Sequence, residues 1–374
     1  MADAAQPVRR PERPLRRATI KDVADAAGVS RSTASRALNG RGYVGLGIRE
    51  RVQAAAETLG YVPDDMARHL KERVSRSVGV LVSDLRTPFY ADVAAGISTG
   101  ARRRGLAMVL GDGSGSAVDE VETARRFVAL RVAGVILTPV SAQVTTFLAR
   151  QRVPVVEVDR HFGGGSCDVV VVAGAAAAGE AAEHLLGLGH RRIALLVDLA
   201  GWSADQDREA GFRQACATAG VPVDDSLVVR CGPGVAAARD RALELLRGPG
   251  APTAVLTTAA WLAEGVWRAA TDLRLRIPDE LSLVTFDDAP WMSLVTPAVT
   301  AVEQDGVRLG EIALERLLGR IEAPAEPPQT VALTARTHHR GSTAAPPGAR
   351  AVAGGRRSVN AVSHMGAHAG QTGV

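Results

Sequence analysis

From Ser77 onward, short aliphatic runs alternate with longer stretches rich in alanine, arginine and glutamate. Such runs are typical of buried strands, and the stretches between them have helical spacing. The runs are SVGVLV, GLAMVLG, VAGVILTPV, VPVVEVD, RRIALLV, TAVLTT and LSLVTF. Strands that alternate with helices form parallel sheets covered on both faces. Because these strands are too many for one modest sheet, the pattern predicts an α/β core of two doubly wound parallel-sheet lobes with a cleft between them.

Near the start of the chain, two short helices separated by Gly28 are predicted in the stretch ATIKDVADAAGVSRSTASRALNG. Thr19 can cap the first helix, with Asp22 three residues later as a variant capping box, and Ser30 can cap the second. A third helix is predicted from about Ile48 to Leu59, and the three form an all-α helix-turn-helix headpiece. The predicted buried stripe of the third helix is Ile48, Val52, Ala56 and Leu59.

The second helix has one apolar face and one polar face. Ala34, Ala37 and Leu38 fall on a narrow arc that can pack against the first helix. The opposite arc carries arginines that can each offer a bidentate fork to guanine, and a serine that can hydrogen-bond a neighbouring base. A solvated surface helix is the alternative, but the paired helix and the glycine turn favour a surface that reads DNA. The predicted base-reading residues are Arg31, Ser32 and Arg36.

Short polar side chains beside this arc are suited to phosphate oxygens, which fix the register of a protein on DNA. The predicted phosphate contacts are Thr19, Ser30, Thr33, Ser35 and Asn39. Residues 1–76 carry 15 Lys and Arg against 9 Asp and Glu, whereas the whole chain has a net charge of only +4. A basic head on a more acidic body indicates that the head meets a polyanion. We therefore predict double-stranded DNA as a partner.

The sequence predicts neither an enzyme nor an exported protein. It has no glycine-rich phosphate loop, zinc-ligand spacing or Ser/His/Asp signature, so no catalytic residue, metal or cofactor is predicted. The N-terminus lacks the apolar segment of a signal peptide, and no run is long enough to span a bilayer. Three cysteines without paired spacing are typical of a reduced, cytoplasmic compartment. A solute-binding protein of a transport system and a two-lobed nucleoside-modifying enzyme remain as alternatives.

The helical stretch quoted above resembles the DNA-binding headpiece of the lactose/galactose-repressor (LacI/GalR) family of transcription regulators. The resemblance continues through RERVQAAAETLGYVPDDMARHLKERVSRSVGVLVSDLRTPFY and extends to about Thr343. It implies a repressor of a pseudo-palindromic operator, controlled by a small molecule, such as a sugar or related metabolite, bound between two periplasmic-binding-protein-like lobes. A homodimer is expected, since two headpieces must contact two half-sites. The chain departs from the family at Gly45 and Ile48, where a serine cap and a threonine are usual.

The segment PDDMARHLKE follows the headpiece, from Pro63 to Glu72. It is too short to form a stable helix alone, and its plain interpretation is a linker. The resemblance implies a hinge helix that orders on DNA and enters the minor groove, with Leu70 wedged between base steps and Ala67 and Lys71 beside it. Because the sequence offers Leu70 no local apolar stripe, the wedge interpretation is favoured.

Ligands of doubly wound sheets bind at the carboxyl ends of the strands. The resemblance implies effector contacts at these ends, although each residue could instead be a helix cap, part of an interlobe salt bridge or core. Arginine and aspartate facing each other across a cleft can grip sugar hydroxyls or a carboxylate. Phe89 and Tyr90 form an aromatic pair in a chain with only 3% aromatic residues. The predicted effector contacts are Phe89, Tyr90, Asp159, Arg208, Trp261, Asp287 and Gln304.

Several polar positions of the family's pocket are apolar in this chain. Where the family has an Asn-Asp pair after the TAVLTT strand, this chain has alanines followed by Trp261. A second pair, Asp-Asn, is also replaced. Thr285 occupies a position where the family has a glycine. The replacements for the two pairs are Ala259, Ala260, Ala173 and Gly174. A pocket with fewer polar contacts predicts a less polar or larger glycoside, or weak effector control, in place of an ordinary monosaccharide.

The predicted organisation has five parts. Residues 1–17 form a disordered basic tail, 18–62 the helix-turn-helix domain and 63–76 the hinge. Residues 77–343 form the effector-binding and dimerisation domain, and 344–374 a second disordered tail. Within 77–343, the resemblance implies that the chain crosses between lobes three times, near Ala173, Gln304 and Leu333. The second tail lacks a leucine heptad, so a tetramer is not predicted.

Overall fold

The computed structural model describes residues 17–40, 43–62, 75–162 and 165–347. The chain divides between Val74 and Ser75 into two compact units. We call the described residues of the first unit, 17–40 and 43–62, the headpiece, and those of the second, 75–162 and 165–347, the core. The predicted hinge residues Ala67, Leu70 and Lys71 lie outside the described residues, as do residues 1–16 and 348–374 of the predicted tails.

The headpiece contains three helices around a small core of alanine and valine. Both predicted caps are confirmed: Thr19 and Asp22 form a capping box, and the Ser30 hydroxyl accepts a hydrogen bond from the Thr33 N–H. Gly28 has a φ of 64°, in the left-handed region that glycine adopts without strain, and it ends the first helix. The helices are α1 (Ile20–Ala27), α2 (Arg31–Asn39) and α3 (Leu46–Thr58).

The third helix differs in detail from its prediction. It begins at Leu46, two residues earlier than predicted, and Val52 and Ala56 are buried as predicted. Leu59 is 41% exposed and was wrongly assigned to the buried stripe, because it follows the last helical residue and forms the C-cap. Gly45 makes no side-chain cap hydrogen bond, which confirms the predicted loss of a cap.

The core contains two six-stranded sheets. All seven aliphatic runs form strands, and six are buried on both faces, as parallel sheets covered by helices require. The strands are β1 (Ser77–Val82), β2 (Ala107–Asp112), β3 (Val135–Leu137), β4 (Val155–Val158), β5 (Asp168–Val172), β6 (Ile193–Asp198), β7 (Val228–Cys231), β8 (Ala254–Thr257), β9 (Ser282–Phe286), β10 (Thr300–Glu303), β11 (Thr330–Leu333) and β12 (Arg336–His338). Lobe 1 has the strand order β11-β5-β4-β3-β1-β2, and lobe 2 has β12-β10-β9-β8-β6-β7.

Eight helices of the described core cover these sheets, four in each lobe. In lobe 1, α4 packs against α11, and in lobe 2, α7 packs against α8 and α9 against α10. The helices are α4 (Pro88–Arg103), α5 (Ala117–Ala129), α6 (Ala142–Arg150), α7 (Gly174–Gly187), α8 (Ser203–Thr218), α9 (Val235–Arg247), α10 (Ala260–Leu273) and α11 (Gly306–Glu322). Short 3₁₀ turns span Asp225–Leu227 and Pro290–Ser293.

The chain passes between the lobes three times, as predicted. The crossings follow β5, β10 and β11, near Ala173, Gln304 and Leu333. One strand is not parallel: β12 pairs antiparallel with β10. The parallel strands of both lobes end at the cleft. Because β11 also ends at the cleft, the chain enters lobe 2 at that side, and β12 runs opposite to the parallel strands of lobe 2.

The described core continues slightly past residue 343. The Ser282 hydroxyl accepts a hydrogen bond from the Ala344 N–H at 3.1 Å, and the Ala344 carbonyl accepts one from Nε2 of His190 at 2.9 Å. Ala344 therefore belongs to the folded lobe 2.

Glu120 of α5 gives lobe 1 a pH-dependent stability. Its carboxylate is fully buried, and one oxygen accepts a hydrogen bond of 2.7 Å from the Val140 N–H. Burial raises the pKa of Glu120 to about 7, and the hydrogen bonds from Val140 and Ser141 lower it only in part. Between pH 4.5 and 7 the folded chain therefore holds a proton that the unfolded chain releases, so stability falls as the pH rises through this window.

We expect Glu120→Gln to remove this slope. Relative to the variant, the wild type should lose about 3 kcal/mol of unfolding free energy between pH 4.5 and 7.5. Urea unfolding across this range measures the difference. Glu122→Gln is the matched control, because Glu122 is an exposed residue of the same helix. Parallel pH profiles for wild type and Glu120→Gln would contradict the prediction.

Candidate functional site

A cavity of about 400 Å³ lies at the carboxyl ends of the strands, between the two lobes. Loops after β1 and β4 form the side of lobe 1, and loops after β6, β8, β9 and β10 form most of the side of lobe 2. All seven predicted effector contacts line this cavity, although their role in binding stays a prediction. They are Phe89, Tyr90, Asp159, Arg208, Trp261, Asp287 and Gln304.

Arg208 of α8 is the centre of a buried polar network. Its guanidinium donates to the Thr258 carbonyl at 2.7 Å and to Oε1 of Gln304 at 2.8 Å. Gln304 in turn donates from Nε2 to Oδ1 of Asp287 at 2.6 Å. The guanidinium also lies over the Phe286 ring, 4.4 Å from its centroid. Nε of Arg208 is buried and makes no hydrogen bond among the described residues.

Asp159 connects lobe 1 to this network. It accepts a hydrogen bond of 2.9 Å from the Tyr90 hydroxyl, and its other oxygen lies 3.9 Å from Nη2 of Arg208. Burial raises the pKa of Tyr90 well above its usual value, so the hydroxyl stays protonated and donates. An arginine and an aspartate thus face each other across the cleft, as predicted: Arg208 belongs to lobe 2 and Asp159 to lobe 1.

Asp159 and Asp287 share an unusual backbone conformation. Their φ angles are 65° and 64°, in the left-handed region that aspartate tolerates better than most residues. Each aspartate directly follows a strand, so this turn directs its side chain to the cavity. Burial raises the pKa of Asp287, and Arg208 and the Gln304 amide lower it in part. Strained residues of this kind cluster at ligand sites.

Arg160 and Trp202 line the cavity but were not predicted to do so. The Arg160 guanidinium, from lobe 1, lies 4.1 Å from the centroid of the Trp202 ring, from lobe 2. The Trp202 ring is held by a hydrogen bond of 3.2 Å from Nε1 to Asp198. Trp291 and Asp205 also line the cavity. The rarity of tryptophan was the only sequence signal that could have identified Trp202 and Trp291.

The apolar replacements have different structural consequences. Gly174 accommodates Arg208, because a Cβ at Gly174 would lie 3.3 Å from Cγ of that side chain. The Ala260 N–H donates to Asp287 at 3.3 Å, so the backbone supplies a contact where the alanine side chain cannot. Thr285 is not part of the cavity lining: its buried hydroxyl lies 2.7 Å from that of Thr257.

On the headpiece, the predicted base-reading residues Arg31, Ser32 and Arg36 are exposed at one face of α2. Arg36 turns along its own helix, where Nε donates to the Ser32 carbonyl at 3.3 Å. The other guanidinium donors of Arg36 make no hydrogen bond within the described headpiece. The face therefore presents two cations and a hydroxyl to solvent.

The predicted phosphate contacts are mostly hydrogen-bonded within the headpiece. The hydroxyl of Ser30 lies 2.8 Å from that of Thr33, the Asn39 amide donates to Ser35 at 3.2 Å, and the Thr19 hydroxyl donates to Asp22 at 2.7 Å. A hydroxyl has one donor and two acceptor positions, so the serines and Thr33 retain capacity for a further bond. Their contact with phosphate stays a prediction.

Two further observations bear on the chemistry of the chain. No helix among the described residues is long and apolar enough to cross a membrane. Within the same residues, no three His, Cys, Asp or Glu side chains are grouped so that they could hold a metal ion. The cysteines Cys167, Cys216 and Cys231 are free thiols.

Comparison with known proteins identifies the family. Residues 19–64 match "Bacterial regulatory proteins, lacI family", and residues 182–343 match "Periplasmic binding protein-like domain". The chain is 31% identical over 331 residues to the ribose operon repressor of Escherichia coli (strain K12), with 87% of this chain and 99% of that protein covered. The chain belongs to the LacI family. The resemblance drawn from the headpiece motifs is confirmed.

Solved structures of transcription regulators share the fold. The lac repressor dimer bound to operator and the anti-inducer ONPF has a TM-score of 0.79 at 27% identity, with 88% of this chain and all of that chain covered. The complex of the transcriptional regulator CelR with cellobiose has a TM-score of 0.68 at 27% identity, with 87% and 100% covered. These relatives are repressors or transcription regulators.

Proposed function

We propose that this chain is a transcriptional repressor that binds a pseudo-palindromic operator as a homodimer and that a carbohydrate controls its affinity. The buried network of Arg208, Gln304 and Asp287 is the observation that carries the proposal. Binding groups of this kind recognise polyhydroxylated ligands through fixed hydrogen bonds. The protein acts on the nucleoid in the cytoplasm and catalyses no reaction.

The exposed face of α2 supports the DNA-binding part of the proposal. Arg31 and Arg36 can each contact a guanine through the major groove. Two headpieces related by a two-fold axis would contact two half-sites. The segment around Leu70 would enter the minor groove at the centre of the operator, with Ala67 and Lys71 beside it. A relative with the same fold was solved as a dimer on its operator.

The charges of the cavity support an uncharged ligand. Among the described residues that line it, five are Asp or Glu and three are Arg. Arg86 is held by Asp84 in two hydrogen bonds of 2.9 and 2.8 Å, and Arg208 is engaged in the network. Arg160 is stacked on Trp202. A free acid would meet more carboxylates than available cations, whereas hydroxyls can bond to both.

The operator contacts can be tested by selecting binding sites from random DNA. Arg36→Ala should cost about 1–3 kcal/mol on the selected site and relax the preference at one position of each half-site. Thr33→Ala should weaken binding to all sequences about equally, because phosphate carries no sequence information. An unchanged site preference in Arg36→Ala would show that the reading face is assigned wrongly.

A solute-binding protein of a transport system is the second candidate function. Its two lobes would have the same fold, but it has no use for a helix-turn-helix headpiece. A gel shift with the selected site separates the two candidates. Binding of carbohydrate without any binding of DNA would favour the transport function.

A further inference from the structure

Three tryptophans follow the carboxyl ends of neighbouring strands in the lobe 2 sheet. Trp202, Trp261 and Trp291 line the cavity, and they are three of the four tryptophans in the chain. Each follows a different strand, namely β6, β8 and β9. These strands are neighbours in the order β9-β8-β6. The segments that carry the tryptophans therefore follow one another along the cavity.

The strand spacing sets the length of this row of strand ends. Neighbouring strands lie about 4.8 Å apart, so the ends of β6 and β9 are separated by roughly 10 Å. One pyranose ring is too short to reach from the first of these strand ends to the third. Two linked rings have the required length, and a cavity of about 400 Å³ is within the range that holds ligands of that size.

The rings are held in place from behind. Trp261 and Trp291 pack against the apolar core of lobe 2, and the Trp291 ring meets the Trp267 ring edge-on at 6.0 Å. Trp202 is held by Asp198 and Arg160. A ring that packs on the core with one side and lines a cavity with the other is a rigid platform for stacking. The C–H face of a sugar and an aromatic ring both fit such a platform.

The residues between the polar network and Trp261 are small. Ala259 and Ala260 line the cavity there. Among the described residues, this pair makes a single hydrogen bond to the network, from the Ala260 N–H to Asp287. The cavity thus has a polar part, at Arg208 and Asp287, and beside it a part where alanines and tryptophans add apolar surface between charged side chains.

We propose that the effector has two linked rings: a sugar ring bound by the polar network, and a second ring stacked on Trp261 and its neighbouring tryptophans. The inference rests on the proposed carbohydrate control and specifies the size of the ligand. The second ring is a sugar or an aromatic aglycone, since both offer a face for stacking.

The test is calorimetry on the full chain with matched one-ring and two-ring probes. The one-ring probes are D-glucose, D-galactose, D-mannose and D-xylose, and the two-ring probes are cellobiose, maltose, lactose, mannobiose, xylobiose and the p-nitrophenyl glycosides of the four sugars. At least one two-ring probe should bind about tenfold or more tightly than its own sugar, a difference of 1.4 kcal/mol. The p-nitrophenyl arm distinguishes an aromatic second ring from a sugar.

Variants locate the second ring. Trp261→Ala should reduce the tenfold preference to threefold or less and leave the affinity for the single sugar nearly unchanged. Asp272→Ala is the matched control on the same helix as Trp261, since Asp272 pairs with Arg239 outside the cavity lining, and it should retain the preference. If every one-ring probe binds as tightly as the two-ring probes built on it, the two-ring inference alone is overturned. Equal weakening of both probe types in Trp261→Ala would overturn it as well. If no probe binds or alters the operator gel shift, the proposed carbohydrate control fails as well.

Discussion

Replacing Arg208 by alanine is expected to abolish the effector response and leave operator binding intact. The variant loses hydrogen bonds to Thr258 and Gln304 and leaves the Asp287 carboxylate without its cation. Removal of one partner from a buried, charged hydrogen-bond network costs about 2–5 kcal/mol. The Kd for the tightest carbohydrate probe should therefore rise by a factor of roughly 30 or more.

The measurement is a gel shift with the selected operator, with and without that probe. Arg213→Ala is the matched control on the same helix, because Arg213 forms salt bridges with Glu209 and Asp225 outside the cavity. Arg208→Lys keeps the charge but loses the planar fork, so it should also lose the response. Loss of operator binding with an unchanged probe affinity would instead make Arg208 a structural bridge between the lobes.

Alanine at Gly211 is expected to destabilise the core strongly. A Cβ at this position would lie 1.9 Å from the carbonyl oxygen of Ala175 and 2.7 Å from its Cα. Both are backbone atoms of α7, so α7 and α8 would have to move apart along their whole contact. Overpacking of this kind costs about 1–3 kcal/mol and sometimes more, and we expect the upper end because no flexible side chain can yield.

Urea unfolding of the full chain measures this cost. Gly187→Ala is the control, because its added Cβ would meet no atom within 4 Å other than those of its chain neighbours and its own helix backbone. Alanine also has a helix propensity up to about 1 kcal/mol better than glycine. The control should therefore be neutral or slightly stabilising. An unfolding midpoint for Gly211→Ala equal to that of the wild type would mean that the two helices separate without cost.

Local patterns predicted local structure well. The caps at Thr19 and Ser30 depend on contacts three residues apart, and the structure has both. Strand β5 shows what such patterns miss: its run DVVVV starts with an acid and was not among the predicted strands. The buried carboxylate of Asp168 is paired with Arg316 and Arg320 of α11, about 150 residues later, and a contact so distant leaves no trace in spacing.

The candidate site was predictable at strand ends and less so elsewhere. The resemblance placed six residues at the cavity, a departure from the family's pattern added Trp261, and all seven line it. Arg160 and Trp202 were missed because their contact joins two lobes, and no periodicity reports which loops face each other. Thr285 was expected to alter the pocket, but its hydroxyl points to Thr257 within the sheet. The direction of a side chain depends on packing that the sequence does not display.

The three passages between the lobes have a consequence for biosynthesis. The sheet of lobe 1 is completed by β11, and α4 is covered by α11, so both depend on residues made after nearly all of lobe 2. Lobe 2 in turn receives its edge strand β12 only after β11. A nascent chain on the ribosome therefore carries two unfinished lobes until residues 336–338 have emerged. During that interval it exposes the apolar face of α4 and open strand edges, the surfaces that chaperones protect from aggregation.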